Sequence, residues 1–119
     1  MGNHNEFGKQ GEQLAVEFLT KKGYVIKQRN YRFLKGEIDI IAQKGTILAI
    51  VEVKSRNKAF VASISDTVNH KKKKLLIETA NNYVIEEDLE VEVRFDIVTV
   101  VQKEKKFEIV HLEDAFYNF

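Results

Sequence analysis

Gly36-Glu37-Ile38-Asp39-Ile40-Ile41-Ala42, a break at Gln43-Lys44-Gly45-Thr46, then Ile47-Leu48-Ala49-Ile50-Val51-Glu52-Val53-Lys54 is the stretch from which the fold is read. Two runs rich in Ile and Val around a Gly-containing turn predict a β-hairpin. With Lys44-Gly45 as a two-residue turn, Gln43 faces Thr46, Asp39 faces Ile50 and Glu37 faces Glu52. Alternation then sets Glu37, Asp39, Glu52 and Lys54 on one face. Ile38, Ile40, Ala42, Ile47, Ala49, Val51 and Val53 fall on the other. Ile41, Leu48 and Ile50 share the charged face but lie toward the turn, so the acids gather at the open end of the hairpin. Carboxylates clustered on adjacent strands repel unless a proton, a lysine or a metal ion compensates. A hard divalent cation such as Mg²⁺ suits an all-oxygen site, and Lys54 adds a positive charge two residues beyond Glu52.

The 119 residues, 44% of them hydrophobic, fit one compact domain spanning residues 1–119. The absence of Cys excludes disulfides and thiolate metal sites and is compatible with a reducing, cytoplasmic setting. Met1-Gly2-Asn3-His4-Asn5-Glu6 lacks an apolar signal core, and no apolar run approaches the roughly 18 residues of a membrane span. A soluble protein with no membrane association is expected. The net charge of +1 argues against a uniformly basic protein, but local fields follow the distribution of charge rather than its sum. Lys71, Lys72, Lys73 and Lys74 are contiguous, whereas Glu86, Glu87, Asp88 and Glu90 form an acidic counterpart. With no Pro, low-complexity tract or repeat, no linker is indicated.

Upstream of the hairpin, Phe7, Gly11, Leu14, Ala15, Phe18 and Leu19 recur at helical spacing from about 5 to 22, with Asn3 or Asn5 as N-cap and Gly23 as terminator. Glu12 lies at the edge of that apolar stripe, where it is either a solvated helix glutamate or a residue that looks along the core. A strand follows over 24–30, and 31–35 leads into the hairpin. Downstream, 55–65 has no clear period and carries Arg56 and Lys58 beside Phe60, the composition of a basic loop near the open end of the hairpin or of an ordinary connection. A second helix is expected from Ser65 or Asp66 to about Ile85, with Val68, Leu75, Leu76, Thr79, Ala80 and Tyr83 on one stripe. Lys72 belongs to that stripe, as a snorkelling side chain or a site-facing one, while its three neighbours point elsewhere. Residues 90–100 alternate as a long strand, 103–106 make a polar turn, 107–111 return, and 115–119 form an aromatic tail. The order α-β-β-β-α-β-β predicts an α/β (α+β layered) fold, a mixed central sheet flanked by helices.

Asp39, twelve residues, then Glu52-Val53-Lys54 on adjacent strands is similar to the pattern of the PD-(D/E)XK nuclease-like fold, with Ile38 in place of the leading Pro. More of the chain resembles the YraN family of small bacterial endonuclease-like proteins. The matching residues are Gly8 to Glu12 and Ala15, Gly23-Tyr24, Asn30-Tyr31-Arg32, Gly36-Glu37-Ile38-Asp39-Ile40-Ile41, Val51-Glu52-Val53-Lys54-Ser55-Arg56, Lys72, Arg94-Phe95-Asp96-Ile97-Val98 and Ala115-Phe116. The resemblance implies a restriction-endonuclease-like core related to archaeal Holliday-junction resolvases. It implies Asp39, Glu52 and the Val53 carbonyl as ligands of Mg²⁺ or Mn²⁺, Lys54 as the catalytic lysine, and Glu12 as a further metal residue.

The function expected on that basis is metal-dependent cleavage of nucleic-acid phosphodiesters, with branched or structured DNA as substrate. A binding module with the same fold and no turnover is the alternative. Arg56, Lys58, Lys71, Lys72, Lys73 and Lys74 would supply phosphate contacts, a sequence-independent mode that weakens with salt. A resolvase would need a homodimer to cut two strands. Glu37 stays unassigned, as an outer metal residue, a partner of Lys54 or Lys72, or an acid where the strand begins. Arg94 and Asp96, at i and i+2, read as an internal ion pair. His111 reads as structural.

Overall fold

The computed structural model describes residues 2–57 and 69–116, with side chains from residue 6 onward. The elements are α1 (Gly2–Lys21), β1 (Val25–Phe33), β2 (Gly36–Lys44), β3 (Ile47–Asn57), α2 (His70–Glu86), β4 (Glu92–Lys103) and β5 (Lys106–Leu112). The expected order α-β-β-β-α-β-β is therefore the observed one. Lys58, the 58–65 part of the expected loop, residues 65–68 and the end of the aromatic tail lie outside the described residues, whereas Ser55 to Asn57 continue β3 and α1 begins at Gly2, so Asn3 and Asn5 lie inside the helix and neither is its N-cap.

The five strands form one sheet in chain order, β1-β2-β3-β4-β5. β3 and β4 run parallel and every other pair is antiparallel, because α2 carries the chain across one face between β3 and β4. Each helix covers its own face. Leu76, Ala80 and Tyr83 of α2 pack with Ile41, Leu48, Ile50 and Ile97. Ala15 and Leu19 of α1 pack with Ile40, Ala42, Ala49, Val51, Val98 and Val100. β3 and the centre of β4 are consequently apolar toward both faces, and Leu48 to Val51 and Ile97 to Val100 are all buried, with Thr99 alone polar among them.

Several boundaries differ from the sequence expectation. β1 absorbs the segment read as a lead-in to the hairpin. α2 starts at His70 instead of 65 or 66, because the Asn69 side chain accepts from the backbone N–H of Lys72 and caps the helix there. The hairpin register is corrected by two residues: Lys44 pairs with Ile47 and Ile40 with Val51. The turn is thus Gly45-Thr46, not Lys44-Gly45. The first central residue of a two-residue hairpin turn needs positive φ, and Gly45, at 61°, takes it. A slip of two leaves the faces unchanged, yet it changes who opposes whom: continuing the observed register sets Asp39 against Glu52, where Glu37 had been expected.

Alternation fails at one place. Ile38 joins the α2-side cluster and Ile40 the α1-side cluster, so Ile38 is not on the face expected for it. Two glycines let the helices approach the sheet on either side of this point. A Cβ on Gly11 would lie 1.9 Å from Ser55 Oγ on β3, and one on Gly36 would lie 1.9 Å from Thr79 Oγ1 and 3.0 Å from the Leu75 carbonyl oxygen of α2. No described helix is long and apolar enough to cross a membrane.

Candidate functional site

Pairing between β2 and β3 ends at Ile40 and Val51, whereas β3 stays paired with β4 as far as Asn57. One step further would put Asp39 directly opposite Glu52, and like charges directly opposite are destabilising. The strands part there, and a side chain replaces the ladder: the Val53 N–H donates to Asp39 Oδ2 at 2.8 Å. Asp39 lines two clefts. One, of about 790 Å³, is walled by Glu12, Arg29, Asn30, Val53 and Arg56 on the α1 side. The other, of about 380 Å³, is walled by Lys35, Glu37, Glu52, Lys71 and Lys72 on the α2 side.

Glu52 is only 5% exposed. Its Oε2 lies 2.9 Å from Lys72 Nζ, but that oxygen has no aligned hydrogen-bond donor, so the contact is charge pairing without directed bonding. Burial, and next the neighbouring Glu52, push the Asp39 carboxyl up to about 8. Burial opposes ionisation of Glu52 too, yet a hydrogen bond from Asp39 and the Lys72 ammonium outweigh it and hold Glu52 below its ordinary value. The pair therefore retains one proton near neutral pH, on Asp39. Burial, reinforced by Lys72 and Arg56, outweighs the attraction of Glu52 and lowers Lys54 to about 8. Burial would lower Lys72 as well, but Glu52 dominates and raises it.

The other residues singled out from the sequence fall as follows. Glu12 borders the same cleft as Asp39, and its charge adds to the upward push on that carboxyl. Its Oε1 is held by Arg29 Nε and Nη2, at 3.2 and 3.1 Å, and by Asn30 Nδ2 at 3.0 Å. Asn30 is among the residues that carry the family resemblance, whereas no sequence signal marks Arg29. Glu37 pairs with Arg32 at 3.1 Å, not with Lys54 or Lys72. Arg56 donates to the Ser55 carbonyl and Lys73 lies over the Phe116 ring at 5.6 Å. Lys71 and Lys74 are exposed. Lys35 and Lys9, unassigned from the sequence, stand at the cleft rims.

No three acidic or histidine side chains converge as a ready-made metal-ligand group among the described residues. Two features of the donor set nevertheless suit a hard cation: a pair of carboxyls so close that one keeps its proton, and the buried Glu52 Oε2 with no aligned donor.

Away from this site, Asp96 is fully buried and takes Arg94 Nε and Nη2 at 2.9 and 2.8 Å, His111 Nε2 at 2.8 Å and the Asp114 N–H at 3.1 Å. The internal ion pair expected from Arg94 and Asp96 is thus present, and His111 completes it.

The fold and site define a layered α+β protein, helices on both faces of a mixed sheet, with an acid and lysine cluster where two strands separate. The chain belongs to the uncharacterised protein family UPF0102, whose model matches residues 11–100. It is 54% identical to a UPF0102 protein of Flavobacterium psychrophilum over the whole of both chains and 44% identical to one from Christiangramia forsetii, again over both chains entire. A Phocaeicola vulgatus member is 40% identical, with 98% of this chain and 97% of that protein covered.

Proposed function

We propose that the protein is a metal-dependent nuclease of the PD-(D/E)XK type that cleaves nucleic-acid phosphodiesters, with DNA, branched or structured, as the substrate class. The observation that carries this reading is the meeting of Asp39, Glu52, Lys54 and Lys72 where β2 leaves β3, between two clefts whose walls carry both acids and basic residues. Asp39, Glu52 and the Val53 carbonyl would hold Mg²⁺ or Mn²⁺, with Glu12 at the α1-side rim. A bound divalent cation supplies Lewis-acid stabilisation of charge developing on phosphate and lowers the pKa of coordinated water. The chain does the rest. The Val53 N–H fixes the Asp39 carboxyl against rotation. Lys54, held near 8 by burial, can orient a water and take up or release a proton close to neutral pH. Arg56, Lys71 and Lys35 offer charge to flanking phosphates without reading bases. A nucleic-acid substrate implies a cytoplasmic location, and paired cuts would require a second copy of the chain.

A binding module without turnover is the second reading, favoured by the engagement of Glu12 with Arg29 and Asn30. The two separate in a cleavage assay on junction, flap, duplex and single-stranded DNA and on RNA, with Mg²⁺ or Mn²⁺. Lys54→Ala is expected to reduce cleavage by about 100-fold or more. Undiminished cleavage in the variant would place the activity elsewhere, and no cleavage of any substrate by the wild type would favour the binding module.

A further inference from the structure

α2 opens in an unusual way. Its first turn carries no acid, and Lys71, Lys72, Lys73 and Lys74 stand where the positive end of the helix dipole disfavours cations. Lys73 is accommodated over Phe116, while Lys71 and Lys74 are exposed. Lys72 instead turns toward the sheet and meets Glu52 from β3.

The two partners are unequal in freedom. The Glu52 side chain is 6% exposed and sits on a central strand, whereas the Lys72 side chain is 41% exposed. The Lys72 backbone is fixed, because its N–H donates to Asn69 Oδ1 at 2.9 Å, but four methylenes separate that anchor from the ammonium. A buried carboxylate left without a cation is strongly unfavourable, so the protein needs a positive charge at Glu52 at all times. The contact is an ion pair through one carboxylate oxygen, Oε2, from a side chain that is 41% exposed, and such an ammonium can give way to another cation.

We propose that Lys72 is a place-holding counter-ion, which occupies Glu52 until a divalent cation takes that carboxylate and then swings out to contact a nucleic-acid phosphate. This rests on the reading of Asp39 and Glu52 as cation ligands. A lysine beside a bound divalent cation is repelled, and the α2-side cleft, with Lys35 and Lys71 on its walls, is where a polyanion would receive it. Cation binding and substrate binding are then linked: each favours the other through the same side chain.

Calorimetric titration of Mn²⁺ into wild type and Lys72→Met tests this without any cleavage. Removing the competing ammonium is expected to tighten Mn²⁺ binding on the order of tenfold. Equal or weaker affinity in a folded variant would overturn the place-holder role while leaving the cation site standing. No binding by either protein would overturn the cation reading itself, and this inference with it. Should Lys72→Met fold poorly, the wild type can be read directly by carbon-13 NMR after reductive methylation of its lysines, with the Lys72 signal assigned through Lys72→Arg. That signal is expected to shift on addition of Mg²⁺ and again on addition of a short DNA duplex. A Lys72 signal that stays in place through both additions would contradict the proposal.

Discussion

Asp96→Ala is expected to cost about 3–5 kcal/mol of stability, the penalty for removing one partner from a buried ion pair. Asp96 is fully buried and receives four bonds: two from Arg94, one from His111 and one from the backbone of Asp114. Lys22 Nζ lies 2.8 Å from His111 Nδ1. An ammonium can only donate, so Nδ1 is the acceptor and Nε2 carries the proton that His111 gives to Asp96. Burial would raise the Asp96 carboxyl, but His111 and Arg94 prevail and hold it below its ordinary value. The carboxylate thereby joins the end of α1, β4, β5 and the turn after β5. Domains of this kind have about 5–15 kcal/mol of total stability, so the loss is expected to dominate a urea unfolding curve. A change below about 1 kcal/mol would mean that the network is not stabilising the fold as described.

Asp39→Asn is expected to act in the opposite sense on the cation-free protein. An amide reproduces the protonated carboxyl: its oxygen can accept from the Val53 N–H and its nitrogen can donate to Glu52. The sign follows from the Asp39 pKa, raised by burial and by Glu52 to about 8. The folded state binds this proton more tightly than the unfolded chain does, so wild type loses stability as pH rises from about 4 toward 8, while the amide does not. Near pH 8 the variant should be more stable by on the order of 2 kcal/mol, the full shift being discounted for partial solvent access. The difference should shrink on acidification. Thermal unfolding in a chelating buffer across this range measures it, and a variant less stable than wild type near pH 8 would contradict the account. A site that is stabilised by removing one of its own acids is organised for something other than stability.

The two faces of the central hairpin are readable because β-branched residues alternate with charge at its open end, and a register error of two residues preserves them. The register itself is not, since it depends on which turn position Gly45 takes, and that choice decides whether Glu37 or Asp39 stands across from Glu52. Ile38 departs from the alternation, packing on the α2 side while Ile40 packs on the α1 side, beside the point where β2 and β3 stop pairing. Helix periodicity brought Lys72 to the sheet-facing stripe of α2, and the ion pair with Glu52 lies there. Helix periodicity set Glu12 at the edge of the α1 stripe and the family resemblance gave it a metal role, but its ties to Arg29 and Asn30 rest on a β1 register and bulge that local pattern does not encode. α2 begins at His70 because Asn69 caps it through the Lys72 N–H, and sequence alone does not rank Asn69 above Ser65 or Asp66 as an N-cap.

The central claim is that Asp39 and Glu52 form a divalent-cation site where β2 leaves β3. Calorimetric titration of Mn²⁺ into wild type and Asp39→Asn tests it most directly, because that variant is expected to be folded and more stable than its parent. Saturable Mn²⁺ binding by the wild type that is lost in Asp39→Asn is the predicted result; no binding by the wild type, or equal binding by both proteins, would contradict it.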